Sequence, residues 1–279
     1  MATHPFHQIN VFSTDPLSGN PLAVVHEAAT LSEARMAAFA NWTNLSETTF
    51  LLPPTDPRAD YRVRIFTTQG ELPFAGHPTL GSCFAWLARG GVPAGEEIVQ
   101  ECAIGLVRIR QGAEGLAFLA PPLLRSGPLD AALRERVRAG LGVRPEDVLD
   151  AQWVVNGPEW LALRLRDRTA VLAARPDYPA LEGLMVGVFA ACDADDGVDA
   201  QFESRAFIAG EAAPEDPVTG SLNAGIARWL QAEGSAPSSY VISQGTVLGR
   251  AGRVRVESRG DEVWIAGACV TCIEGTVDL

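Results

Sequence analysis

Two stretches of the chain set a titratable residue directly before a proline and follow it with Thr and Gly-Ser. The first is Phe74-Ala75-Gly76-His77-Pro78-Thr79-Leu80-Gly81-Ser82; the second is Glu215-Asp216-Pro217-Val218-Thr219-Gly220-Ser221. Apolar runs follow both, to Trp86-Leu87 and to Trp229-Leu230, so each stretch stands at the mouth of a predicted helix. Proline suits the first helical position, where its missing N–H has no partner to lose. His77 and Asp216 are therefore expected near N-caps, where unpaired backbone N–H groups gather. Two such starts facing each other predict a cleft holding an imidazole, a carboxylate and two anion-attracting helix ends. Acid–base chemistry on a small anion is what that set can do.

Each residue also has a plainer explanation. Asp before Pro at a helix start is a common structural cap, although a cap explains neither the adjacent Glu215 nor the repetition in the other half. His77 is one of four histidines, with His4, His7 and His26; alone it reads equally well as a cap. Glu47, in Asn44-Leu45-Ser46-Glu47-Thr48-Thr49-Phe50, stands where a loop becomes an apolar strand. Partial desolvation there would make it useful as a proton carrier, while composition alone leaves it an ordinary strand-edge glutamate. Ser82 and Ser221 lie outside any G-x-S-x-G elbow, so a hydroxyl that orients a carboxylate fits Ser221 better than a nucleophile.

Bulk composition narrows the classes. The 279 residues suit two domains, with 47% hydrophobic and 20% charged residues. A net charge of -12 argues against nucleic acid or an anionic membrane as partner. No stretch approaches the ~20 apolar residues of a spanning helix. Met1-Ala2-Thr3-His4-Pro5-Phe6 lacks the basic and apolar regions of a signal peptide, so a cytoplasmic protein is expected. All 22 basic residues are arginine, which removes lysine Schiff-base chemistry and a Walker lysine. Sparse histidine without H-x-x-x-H spacing argues against a metal site. Of the five cysteines, Cys269 and Cys272 form a C-x-x-C on the predicted strand Val263–Ile273. Residues three apart on a strand face opposite ways, so they read as core cysteines, as do Cys83 and Cys102.

The elements that must carry these residues alternate short strands with few helices. Ile9–Phe12, Leu22–Val25, Glu47–Leu52, Tyr61–Phe66, Ile98–Val107 and Leu116–Leu119 read as strands, with helices over Leu31–Trp42 and from the first motif to about Arg89. Pro121-Pro122 and Gly127-Pro128 mark a boundary, giving domains over 1–120 and 121–279, with a last strand near 268–279 joining the first. In the second half a helix over Leu129–Leu141, strands at Trp153–Val155, Trp160–Leu165 and Phe202–Ile208, and the second motif's helix follow. Short strands and close turns predict an α+β fold with antiparallel or mixed pairing, and no G-x-G-x-x-G follows a strand.

Taken together, Gly19-Asn20-Pro21-Leu22-Ala23-Val24-Val25, Asn44-Leu45-Ser46-Glu47-Thr48, Phe74–Thr79, Glu215–Ser221 and Gln244-Gly245 through Gly249-Arg250 closely resemble the phenazine-biosynthesis-like (PhzF-like) isomerases of the diaminopimelate-epimerase-like fold. They occur in that family's order over nearly the full length. The resemblance implies two pseudo-symmetric domains, each a curved, mostly antiparallel sheet or barrel around a central helix, with the site in the cleft between them. It implies Glu47 as the acid/base, His77 and Asp216 as its catalytic partners, and Ser46, Gly76, Gly220 and Ser221 as the grip on a small carboxylate substrate. No metal or organic cofactor is implied, and a homodimer is. The amino-acid racemases of the fold carry two cysteines where this chain has His77 and Asp216, so a proton shift on an unsaturated or cyclic acid is expected. The alternatives are an epimerase or racemase with non-cysteine bases and a carboxylate-binding protein without turnover. Ser18, Leu222 and Asn223 depart from the family's usual residues, the last two at the edge of the expected pocket.

Overall fold

The computed structural model describes residues 2–112, 115–210 and 214–279. The chain divides into two compact units, Met1–Leu119 with Ala266–Leu279, and Ala120–Ile265. The first contains β1 (Thr3–Val11), β2 (Asn20–Val25), α1 (Glu33–Thr43), β3 (Glu47–Leu52), β4 (Tyr61–Phe66), β5 (Glu71–Leu72), α2 (Gly76–Ala88), β6 (Ile98–Cys102), β7 (Gly105–Gly112) and β8 (Gly115–Leu119). The second contains β9 (Arg125–Pro128), α3 (Ala131–Gly140), β10 (Val148–Val155), β11 (Trp160–Leu165), α4 (Arg168–Ala173), β12 (Met185–Ala191), β13 (Phe202–Ile208), β14 (Glu215–Asp216), α5 (Gly220–Glu233), β15 (Ser239–Gln244), β16 (Gly252–Arg259) and β17 (Glu262–Gly267). The last strand, β18 (Cys269–Asp278), returns to pair antiparallel with β1.

The two units repeat one order of pairings. In the first, β1 and β2 are antiparallel, β2 and β3 parallel, β3 and β4 antiparallel, and β6 comes back after α2 to lie parallel to β4. In the second, β10 and β11 are antiparallel, β11 and β12 parallel, β12 and β13 antiparallel, and β15 comes back after α5 to lie parallel to β13. Parallel neighbours need a crossover; α1 and α4 supply the first of each set, α2 and α5 the second. The fold is α+β, with each sheet mostly antiparallel and mixed at the crossovers.

Local chemistry accounts for the elements that hold the site. In β4, Tyr61, Val63 and Ile65 are buried while Arg62 and Arg64 alternate with them at the surface, the period-two pattern of a half-exposed strand. Ser32 caps α1 by accepting from the Arg35 N–H, and Asn44 ends it in the left-handed region (φ 55°). That turn delivers Glu47 to the first position of β3. By contrast α2 and α5 are buried nearly all round, as a helix at the centre of its unit must be. Separate apolar clusters involve other helices: Val25, Phe50 and Phe66 pack with Met36 of α1 in the first unit, and Leu161, Val188 and Phe207 with Val137 of α3 in the second.

Close backbone approach makes some small residues obligatory. A Cβ on Gly225 of α5 would lie 2.5 Å from the Val154 carbonyl oxygen of β10. Gly225→Ala should therefore lower stability by about 1–3 kcal/mol despite alanine's better helix propensity, read as a lower urea midpoint with an unchanged slope. An unchanged or higher midpoint would refute the contact.

Several expected elements differ in detail. Ile98–Val107 is two strands, because Gly105 (φ 108°) turns the chain between them. Val263–Ile273 is broken at Gly267–Cys269; a Cβ on Gly267 would meet the Phe12 ring at 2.2 Å, and the Phe12 N–H donates to Ala268 O instead. The core reading of the C-x-x-C is overturned: Cys272 is exposed on β18 and Cys269 is only partly covered, both being free thiols. Cys83 and Cys102 are buried. The fully apolar strand β12 and the six-residue α4 have no counterpart among the expected elements. No described helix is long and apolar enough to cross a membrane.

Candidate active site

The first unit brings Glu47, His77 and Asn20 together. The β2–β3 register sets Leu22 opposite Glu47, and α2 packs across both strands. His77 is the second residue of α2, its side chain only 2% exposed, with Nδ1 3.3 Å from Glu47 Oε2. The Asn20 side-chain amide lies 3.4 Å from the same nitrogen. Burial pushes the His77 imidazole down to about 3, against a smaller upward pull from the Pro21 backbone. The ring is therefore neutral near pH 7, and its approach to Glu47 is a close polar contact rather than an ion pair. The Glu47 side chain keeps 13% of its surface open. Ser46 occupies the turn directly before it, half-buried.

Behind the helix start runs a chain of buried polar groups. The Tyr61 hydroxyl donates to Gln100 Oε1 (3.0 Å), Gln100 Nε2 donates to Thr79 Oγ1 (3.1 Å), and Thr79 donates to the Ala75 carbonyl at the N-cap (2.9 Å). Ser82 belongs to the core as well, donating to Thr49 Oγ1 at 2.9 Å.

The second unit builds an analogous set around Asp216. Thr219 is the N-cap of α5, and its hydroxyl donates to Asp216 Oδ2 at 2.6 Å. Gln244, the last residue of β15, donates from Nε2 to the Asp216 carbonyl (3.0 Å) and to Thr219 Oγ1 (2.9 Å), while its Oε1 accepts from the Thr219 N–H (3.0 Å). Asn223 donates to Gln244 Oε1 (2.7 Å) and to the Thr219 carbonyl (2.9 Å), and Ser204 donates to Asn223 Oδ1 (3.0 Å). Ser221 Oγ accepts from the Trp160 indole N–H (3.0 Å) and its carbonyl accepts from Asn156 Nδ2 (2.8 Å). Both bonds leave the Ser221 hydroxyl proton for another acceptor.

These positions correct the helix phase expected from the twin motifs. Pro78 is the third helical residue and Pro217 precedes its helix by three, so neither takes the first position. Asp216 lies in the short β14, three residues before the cap, because it pairs with Ala206 of β13. What the helices share is glycine first: Gly76 opens α2 and Gly220 opens α5, which puts His77 in phase with Ser221 rather than with Asp216. Gly81-Ser82 lies mid-helix. Glu215 is a clamp: Arg205 grips it through two bonds (2.8 and 2.9 Å) and donates onward to the Ala174 carbonyl. Leu222 and Asn223 are wholly buried, and Leu222 fills the space over Gly187.

The sequence alone does not mark Asn20, Gln100, Gln244, Trp160 or Asn156 as site residues. Asn20 and Gln244 do lie inside the motif segments. Among the described residues no group of three or more His, Cys, Asp or Glu side chains could hold a metal ion. The other three histidines pack on one another instead, with His7 Nδ1 2.8 Å from His26 Nε2 and His4 Nδ1 3.3 Å from the His26 carbonyl.

A family model described as phenazine biosynthesis-like protein matches residues 9–275. The chain is 36% identical to "Antisense-enhancing sequence 1" of Schizosaccharomyces pombe, covering 99% of both chains. It is 31% identical to the trans-2,3-dihydro-3-hydroxyanthranilate isomerase of Pseudomonas chlororaphis, over 99% of this chain and 100% of that one. Among solved structures, a PhzF-family protein of Enterococcus faecalis superposes with a TM-score of 0.80 at 27% identity, covering 100% of each chain.

Proposed function

This chain belongs to the phenazine biosynthesis-like family and is an isomerase, and we propose that it moves a proton between carbons of a small unsaturated or cyclic carboxylic acid, without a cofactor, through Glu47. The observation that supports this most is the placing of the neutral His77 ring, its Nδ1 3.3 Å from the Glu47 carboxyl. In the forward direction the Glu47 carboxylate takes a proton from one carbon, the electron pair shifts along the unsaturated system, and the resulting carboxylic acid returns a proton to a second carbon. No proton or electron is gained or lost overall. His77 steadies both states of Glu47, since a neutral imidazole can donate to a carboxylate or accept from a carboxylic acid as its tautomer requires. Asp216 is assigned to turnover as a proton partner, and the backbone N–H groups of Gly76 and Gly220 with the Ser221 hydroxyl are assigned to the substrate carboxylate.

Positioned acid–base catalysis of this kind supplies roughly 10²–10⁴-fold, so orientation of the bound acid must supply much of the remainder. The relatives named for trans-2,3-dihydro-3-hydroxyanthranilate make that compound the first to try, followed by a panel of unsaturated and cyclic carboxylic acids. The reaction run in D₂O and followed by NMR tests the proposal. The expected product carries hydrogen or deuterium at a new carbon and a displaced double bond. Inversion at a single carbon with exchange there would replace the proposal by an epimerase, and binding without turnover of any compound would replace it by a carboxylate-binding protein.

A further inference from the structure

We propose that Gln244 is a positioning residue that sets the direction of the hydrogen bond on Asp216, making the Thr219 hydroxyl a donor to that carboxylate; the catalytic meaning of this rests on Asp216 taking part in turnover, but the geometry does not.

The orientation of the Gln244 amide follows from main-chain groups alone. Its Oε1 faces the Thr219 N–H at 3.0 Å, which can only donate, and its Nε2 faces the Asp216 carbonyl at 3.0 Å, which can only accept. The remaining Nε2 hydrogen is aimed at Thr219 Oγ1, 2.9 Å away. A hydroxyl has one proton; with a lone pair already occupied by the amide, that proton goes to Asp216 Oδ2 at 2.6 Å. The short distance fits a charge-assisted bond to an ionised acceptor. Gln244 is 1% exposed, and Asn223 bonds the far side of its Oε1 (2.7 Å), so the amide cannot flip without breaking three other bonds. The charges on the flanking strands do not compete: Glu203 is paired with Arg168 and Glu215 with Arg205. The other unit uses the same amide–hydroxyl relay, Gln100 to Thr79, but ends it on the Ala75 carbonyl. The direction of the relay is thus common to both units, and only in the second does it terminate on a carboxylate.

Gln244→Glu is close to isosteric and reverses that direction, because a carboxylate at this place accepts from the Thr219 hydroxyl and withdraws the proton from Asp216. Gln244→Met removes the amide but leaves the hydroxyl able to donate. Thr219→Val removes the donor altogether. The full chain labelled with [¹³Cγ]aspartate, its Asp216 signal assigned by loss in Asp216→Asn, is titrated by NMR without any substrate. Asp216 is expected to titrate at higher pH in Gln244→Glu and in Thr219→Val, and close to the wild type in Gln244→Met. An unchanged Asp216 titration in Gln244→Glu overturns the proposal. If that variant does not fold, Thr219→Val decides: an unmoved signal there overturns it and a raised one supports it. With a turnover assay in hand, Gln244→Glu should lose about tenfold or more in kcat with little change in KM, and the acid limb of its pH–rate profile should move up. Absence of turnover in the wild type would end the proposed function while leaving the titration result standing.

Discussion

Glu47→Gln is expected to lower kcat by about 10²–10⁴-fold while leaving ligand binding and the fold in place. The substitution keeps the size of the side chain, and the new amide can take the same place beside His77 Nδ1, which lies 3.3 Å from the carboxyl it replaces. What it removes is the ability to accept a proton from carbon and give it back. Binding of a carboxylate ligand, followed by calorimetry, should persist, since the groups assigned to the anion are main-chain N–H donors at Gly76 and Gly220 and the Ser221 hydroxyl. Unaltered turnover in Glu47→Gln would remove Glu47 from the mechanism, and lost binding with an intact kcat would make it a substrate ligand instead.

Acidification from pH 7.5 to pH 5 is expected to strip several kcal/mol of stability from the protein. Burial, helped by the neighbouring His7 and Arg89, pushes His26 down to about 3, and burial does the same to His77. An unfolded histidine titrates near 6.5. Between these values the unfolded chain binds more protons than the folded one, so stability is full above about pH 6.5 and falls as the pH drops toward 3. At pH 5 each of the two costs about 2 kcal/mol, 1.5 pH units at 1.4 kcal/mol per unit. His7 is lowered as well, by burial, with Glu274 opposing. Against a typical total of 5–15 kcal/mol this is a large share. Urea midpoints at the two pH values measure it. His26→Gln, which removes one titrating ring while keeping a partner for His7 Nδ1, should flatten the fall; equal midpoints for the parent at both pH values would sink the prediction.

How much of this was legible beforehand varies with the kind of signal involved. The alternation of Tyr61–Phe66 announces β4 because one face is wet and one dry, whereas β12, Met185–Ala191, is almost wholly buried and offers no period to read. The helix starts were visible but their phase was not. The first turn of a helix tolerates proline at more than one place, since none of its N–H groups has an intrahelical partner; Pro78 therefore could not be distinguished from a first residue. Asp216 is taken out of the cap by strand pairing with Ala206, a tertiary effect absent from local sequence. Within the candidate site, Glu47 and His77 are 30 positions apart and meet only because β3 and α2 pack together; their pairing was expected from family resemblance, not from spacing. Gln244 shows the opposite limit. A single buried amide has no pattern in sequence, yet four hydrogen bonds converge on it.

The return of β18 to β1 bears on how the molecule is made. Every residue of the second unit lies in one continuous stretch, Ala120–Ile265, but the first is split, and β1, antiparallel to β2 on one side, finds its other antiparallel neighbour more than 250 positions later, with Thr3 opposite Asp278. On a ribosome the second unit can therefore complete its sheet while the first still lacks a strand. Until Cys269–Asp278 emerges, the outer edge of β1 presents unpaired main-chain groups to the cell, so this protein has a built-in interval in which a chaperone, or another nascent copy, can compete for the place of its own last strand.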